Sequence, residues 1–157
     1  MTDGTVSAFS TDAPVNAGSY RARLTLGSGD NAVSVTVDYT IEQATPVIGW
    51  SDVQKEQSAV YTGTAIAASK LTAPMVTLLG KDTFSDNSKI TYSYRKVTDG
   101  TASGDFISGL PADIGTYEIK ASIPTDGNYT AAETADTMQL TIAYLVSAPD
   151  AVVTDQN

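Results

Sequence analysis

Apolar and polar residues alternate strictly in two stretches of this chain. Tyr117, Ile119, Ala121 and Ile123 alternate with Glu118, Lys120 and Ser122, and earlier Tyr20, Ala22, Leu24 and Leu26 alternate with Arg21, Arg23 and Thr25. Successive side chains on a strand point to opposite faces, so each stretch predicts a half-buried antiparallel strand with one apolar face. A second alternating run follows each: Val33, Val35, Val37, Tyr39 and Ile41 in one case, Met138, Leu140 and Ile142 in the other. Turn residues separate the runs, Gly27-Ser28-Gly29-Asp30-Asn31 and Pro124-Thr125-Asp126-Gly127-Asn128. Each pair therefore reads as a β-hairpin. No stretch long enough for an ordinary helix spaces its apolar residues at three and four. Residues 130–137, rich in Ala and Glu, read at most as one helical turn leading into the last strand.

The two hairpins belong to an internal repeat. Thr2-Asp3-Gly4-Thr5 recurs as Thr98-Asp99-Gly100-Thr101, and Ser7 matches Ser103. After one inserted residue Phe9 matches Phe106, Pro14 matches Pro111, Gly18 matches Gly115 and Tyr20 matches Tyr117, all at one constant spacing. Tyr39-Thr40-Ile41 then matches Leu140-Thr141-Ile142 after a further insertion. The same half-domain is present twice. Residues 45–97 have no earlier counterpart and supply the first half of the complete copy. Strands are expected there at Pro46–Trp50, Ser58–Tyr61, Met75–Leu79 and Ile90–Arg95, with Ile90, Tyr92 and Tyr94 on one face. Short strands punctuated by turns at this spacing predict a β-sandwich or barrel. The chain accordingly divides into a half-repeat at 1–44, a complete repeat at 45–144, and a linker or first strand of a further repeat at 145–157.

Asp113-Ile114-Gly115-Thr116-Tyr117 has the form Asp-x-Gly-x-Tyr, and Asn16-Ala17-Gly18-Ser19-Tyr20 is its near copy. Immunoglobulin domains carry this pattern as a tyrosine corner, in which the Tyr hydroxyl bonds back to the upstream backbone. A buried phenol needs such a partner, and Gly allows the sharp turn before it. Where antibody domains place a Cys two residues later, this sequence has Ile119 and Ala22, so apolar packing stands in for a disulfide. The run from Gly109 to Ala121, then Gly127-Asn128-Tyr129-Thr130-Ala131-Ala132 and Leu140-Thr141-Ile142, resembles the bacterial Ig-like and MBG-type repeats of Firmicutes surface proteins. Val60-Tyr61-Thr62-Gly63-Thr64-Ala65 is similar to their early Tyr-x-Gly-x-Ala strand. The resemblance covers 45–144 in full and 2–44 as a half copy. It implies an all-β, immunoglobulin-like antiparallel β-sandwich, an extracellular bacterial setting, and a non-enzymatic stalk, spacer or adhesion role beside neighbouring repeats. Gly18, Tyr20, Asp113, Gly115 and Tyr117 are its structural residues.

Composition narrows the chemistry. The 157 residues are 41% hydrophobic, enough for a packed core and too apolar for a disordered chain. Net charge is −9 with nine scattered basic residues, which disfavours nucleic acid and anionic membranes, since both are bound through clustered Lys and Arg. There is no Cys or His, which removes disulfides, thiolate chemistry and the commonest general base. No apolar run reaches the length of a membrane span. Met1-Thr2-Asp3-Gly4 is not a signal peptide, and a secretion signal or anchor is expected outside this sequence.

An enzyme would have to rely on carboxylate pairs or a Ser–Lys couple, yet Ser69-Lys70 lacks motif context and the acids sit in turns or on outward positions. The sequence therefore reads as non-enzymatic, with no cofactor. Asp99, Asp105, Asp126 and Asn128 are loop oxygens to weigh for calcium, without the acid spacing of an EF-hand loop, and ordinary turn chemistry accounts for them. The alternative function is carbohydrate or protein binding through loop residues, to a glycan or protein on a host or cell surface. Tyr129 and Trp50 are its candidates, although Trp50 reads more readily as core or interdomain joint. Residues 2–44 carry an apolar face, Tyr20, Ala22, Leu24, Val33, Val35 and Val37, without a partner sheet. A homodimer, strand exchange, or the tail Leu145–Thr154 with its Ala151-Val152-Val153 is expected to cover it.

Overall fold

The computed structural model describes residues 9–78 and 87–145. Among the described residues eleven strands run in chain order: β1 Gly18–Leu26, β2 Val33–Ile41, β3 Pro46–Gly49, β4 Glu56–Val60, β5 Met75–Leu78, β6 Thr91–Thr98, β7 Thr101–Ala102, β8 Ile107–Ser108, β9 Gly115–Ile123, β10 Ala132–Glu133 and β11 Met138–Ala143. Between them are only short 3₁₀ turns, so the described fold is all-β.

β1 and β2 form a two-stranded antiparallel hairpin on their own. The main sheet runs β4-β11-β9-β6-β7, with β10 added to β9 and β8 to β6, and β3 pairs with β5 separately. The strands expected in 45–97 all form, with shifted ends: Trp50 and Tyr61 fall just outside β3 and β4, β6 begins after Ile90 and continues to Thr98, and Leu79 lies outside the described residues.

The two copies of the half-domain pair in the same register. Tyr20 faces Tyr39, Ala22 faces Val37 and Gly18 faces Ile41. Their counterparts face each other likewise, Tyr117 with Leu140, Ile119 with Met138 and Gly115 with Ile142.

One pairing departs from the antiparallel expectation. β4 runs parallel to β11, with Leu140 opposite Gln57 and Ile142 opposite Ala59. Parallel neighbours need a long crossover, and here β5 to β9 intervene in sequence between the two. Residues 130–137 are the second departure, for they form no helical turn and Ala132–Glu133 is strand β10. β11 accompanies β9 only as far as Ile119, leaving Ala121, Ser122 and Ile123 to find other partners. Ala132 and Glu133 pair with Ile123 and Ser122, and the buried Thr134 donates its N–H to the Ala121 carbonyl at 2.9 Å. The need to satisfy that backbone overrides the weak helix preference of Ala and Glu.

The alternation along β9 and β11 resolves into burial. Ile119, Ala121, Met138 and Leu140 are fully buried, whereas Glu118 and Lys120 lie on the other face, paired with Arg95 and Glu133. Ile48, Trp50 and Val76, from β3, β5 and the segment after β3, join Ile66, Leu71 and Ile90 in one cluster with them. Tyr92 and Tyr94 pack against that cluster, partly buried. Each fully buried aliphatic side chain contributes about 1.5–3 kcal/mol, so this cluster is the main source of stability.

Candidate functional site

The residues singled out in the two copies take the same local shape. Gly115 and Gly18 have φ of 149° and 152°. Each places the Tyr two residues on so that its hydroxyl donates to a carbonyl four residues upstream, Tyr117 to Asp113 at 3.0 Å and Tyr20 to Asn16 at 2.8 Å. Tyr117 is buried, and its phenol is pushed above the usual range by that burial first, then by Asp113 and Tyr94. The mimicry extends to cation–π contacts. Arg23 lies 4.2 Å from the centre of Phe9, and its counterpart Lys120 lies 5.2 Å from that of Phe106.

The hairpin end carrying Asn16 and Ala17 meets the turn between β9 and β10. Ala17 N–H donates to Asn128 Oδ1 at 2.8 Å, and Asn128 Nδ2 donates to Asn16 Oδ1 at 3.0 Å. Alongside, Ala44 N–H donates to the Asn128 carbonyl at 2.9 Å and the Thr130 N–H returns to the Ala44 carbonyl at 3.0 Å. Gln43 Nε2 adds a bond to the Asp126 carbonyl at 2.7 Å. The hairpin and the complete repeat are thus joined by side chain and backbone together.

Asp126 builds the receiving turn. Its Oδ1 accepts the Asn128 and Tyr129 N–H groups at 2.8 and 3.0 Å, and its Oδ2 accepts from Lys89 Nζ at 2.6 Å. The Lys89 bond first, then the backbone bond from Asn128, hold its carboxyl below the usual range. Both oxygens are therefore engaged in shaping the turn. Of the other calcium candidates, Asp99 has φ 51° beside Gly100 at 76°, the shape of a two-residue hairpin turn between β6 and β7. Asp105 is exposed. Among the described residues no three His, Cys, Asp or Glu side chains cluster. Ser69 and Lys70 lie in an exposed 3₁₀ turn, and among the described residues no helix is long and apolar enough to cross a membrane.

The two loop aromatics are not displayed together. Trp50 is 8% exposed and belongs to the core cluster, the place its sequence context favours, so its ring is not displayed for stacking on a sugar. A large indole is held there by apolar burial even though its Nε1 finds no partner. Tyr129 is half-buried, with Lys89 Nζ 5.3 Å from its ring centre and its backbone bridged to Ala44. It belongs to the joint. A shallow cleft of about 290 Å³ lies elsewhere, between Ile66, Ile90, Tyr92 and Leu110.

No family model, curated protein or solved structure matches this chain. The joint is what sequence reasoning passed over. Asn128 reads as ordinary turn chemistry, and the corresponding turn of the first copy, Gly27 to Asn31, lacks a matching Asn-Tyr pair that would draw the eye to it.

Proposed function

We propose that this chain is a non-enzymatic spacer segment of a tandem array of immunoglobulin-like β-sandwich repeats, exposed on a bacterial surface. The observation that carries the proposal is the joint at Asn128. A spacer must pass orientation from one unit to the next, and flexible tethers lose it. Here the two units are separated only by Glu42 to Thr45, and four of the bonds across the joint are made by or to Asn128 and Ala44.

The far end of the complete repeat supports the same reading. By the internal repeat, Asn16, Ala17, Gln43 and Ala44 correspond to Asp113, Ile114, Tyr144 and Leu145. All four of these are exposed, with Ile114 at 38%, Tyr144 at 67% and Leu145 at 76%. They present the surface on which a turn like Thr125–Thr130 of a following unit would seat, so the joint can propagate in one direction.

Residual dipolar couplings of the full chain test the idea. A rigid joint gives the hairpin and the complete repeat one alignment tensor, and Asn128→Ala is expected to separate them. Independent tumbling in the unsubstituted chain would refute the spacer reading. Antibody labelling of intact cells tests the surface location.

A further inference from the structure

The apolar face of the hairpin stands open. Leu24, Leu26, Val33, Val35 and Val37 are each at least 60% exposed, and Tyr20 stacks on Tyr39 with ring centres 5.7 Å apart. By the register, Tyr20/Tyr39, Ala22/Val37, Leu24/Val35 and Leu26/Val33 form one continuous apolar face, while Arg21, Arg23, Thr36 and Asp38 occupy the other. Among the described residues, β1 and β2 pair with each other alone.

The equivalent hairpin, β9–β11, shows what this arrangement accommodates. Its apolar face is closed by Ile48, Trp50 and Val76, its β9 edge is paired antiparallel with β6, and its β11 edge is paired parallel with β4. All of these come from residues 46–98. From the register shared over Gly18–Ala22 and Val37–Ile41 we infer that the β1–β2 hairpin is an acceptor for one additional polypeptide segment with the pattern of residues 45–97. That segment adds one strand antiparallel to β1, another parallel to β2, and an apolar layer over Leu24 and Val37, the counterparts of the buried Ala121 and Met138.

Counting excludes exchange of the 45–97 segment between copies of this chain as its source. Each copy holds two second-half hairpins and one first-half segment, and that segment already buries Ile119, Met138 and Leu140. Exchanging it between copies uncovers one hairpin for every one it covers. In any assembly built by exchanging that segment half of the hairpins remain bare, so strand exchange has no net burial to drive it. Residues 146–157 lie outside the described residues, and twelve residues are fewer than β3 to β6 contain. The segment therefore comes from outside these residues.

The experiment extends the full chain by placing a second copy of residues 45–97 directly ahead of Thr2. This reproduces the Val97–Thr98 junction, because Thr2-Asp3-Gly4-Thr5 repeats Thr98-Asp99-Gly100-Thr101. Amide hydrogen exchange is then read for β1 and β2 in the original and the extended chain. Protection in β1 and β2 is expected to rise at least about 100-fold, as local opening gives way to cooperative opening of a closed unit. Leu24→Asp in the extended chain is expected to abolish protection in the hairpin and the added strands together, while β9 and β11 stay protected. Unchanged exchange in the extended chain would overturn the inference. So would a dimer of the original chain in which β1 and β2 are already protected, for then a second copy is the occupant. Neither result bears on the Asn128 joint, which the dipolar couplings read separately.

Discussion

Tyr20 is a surface copy of Tyr117: both hydroxyls reach a carbonyl four residues upstream, at 2.8 and 3.0 Å, yet only Tyr117 has a core around it. The corner is thus a local product of the sequence, and its energetic worth depends on what covers it. Tyr117→Phe is expected to lower stability by about 1 kcal/mol, the usual net value of one such bond. Tyr20→Phe, on an exposed hairpin, is expected to change it by less than about 0.5 kcal/mol. Urea unfolding followed by Trp50 fluorescence distinguishes them, and equal losses would mean that the hairpin has a buried environment of its own.

The same contrast holds for a pair of equivalent side chains inside the two hairpins. Met138 is fully buried and faces Ile119, and its counterpart Val37 is 61% exposed and faces Ala22. Met138→Ala is expected to cost about 2–5 kcal/mol, transfer and cavity terms together. Val37→Ala is expected to stay within about 0.5 kcal/mol. A large loss at Val37 would show that the open face is covered in solution.

What the sequence disclosed and what it hid follow from the range of the interactions involved. Gly115 and Tyr117 were legible because the corner spans five consecutive residues, and the inward set on β9 and β11 because alternation on a strand has only two outcomes. The direction of β4 was not legible, since a strand with one apolar face looks the same whether its neighbour runs parallel or antiparallel. The strand at Ala132–Glu133 depends on Ser122 and Ile123 having no β11 neighbour on that edge, which local propensity does not register. Trp50 could be read either as core or as contact surface until Ile48 and Val76 were seen around it. The Asn128 joint was hidden for the strongest reason: its partner Asn16 lies 112 residues away in the chain.

Acid should loosen the joint before it unfolds the core. Asp126 has its pKa lowered in the folded state by Lys89 first and by the Asn128 N–H next. A carboxyl with a lowered folded pKa contributes stability that is fully present above its unfolded value, about 3.9, and lost as pH falls through the folded value. The amide signals of Asn128, Tyr129, Ala17 and Ala44 are therefore expected to shift together below about pH 4. Asp126→Asn should remove that shared titration. Asp38, lowered by its bond to Arg21, should titrate in the same direction but be reported by β1 and β2 alone.

Two glycines should respond to the same substitution with opposite signs. A Cβ on Gly115 would meet Tyr117 and Lys96 atoms at 3.5 Å, an ordinary contact, so space is not the obstacle. The obstacle is φ of 149°, a conformation that side-chain-bearing L-residues rarely adopt. Gly115→Ala is expected to destabilise by about 1–3 kcal/mol, the usual cost of holding such a backbone. Gly49, at the end of β3, has no positive φ, and a Cβ there would meet nothing within 4 Å. Gly49→Ala is expected to stabilise by about 0.4–1 kcal/mol, because Ala restricts the unfolded chain without straining the folded one. Thermal unfolding of the two variants side by side measures both signs. If Gly115→Ala were neutral, the turn before Tyr117 would have to relax to negative φ, and the Tyr117–Asp113 bond should then be lost from the variant's spectrum.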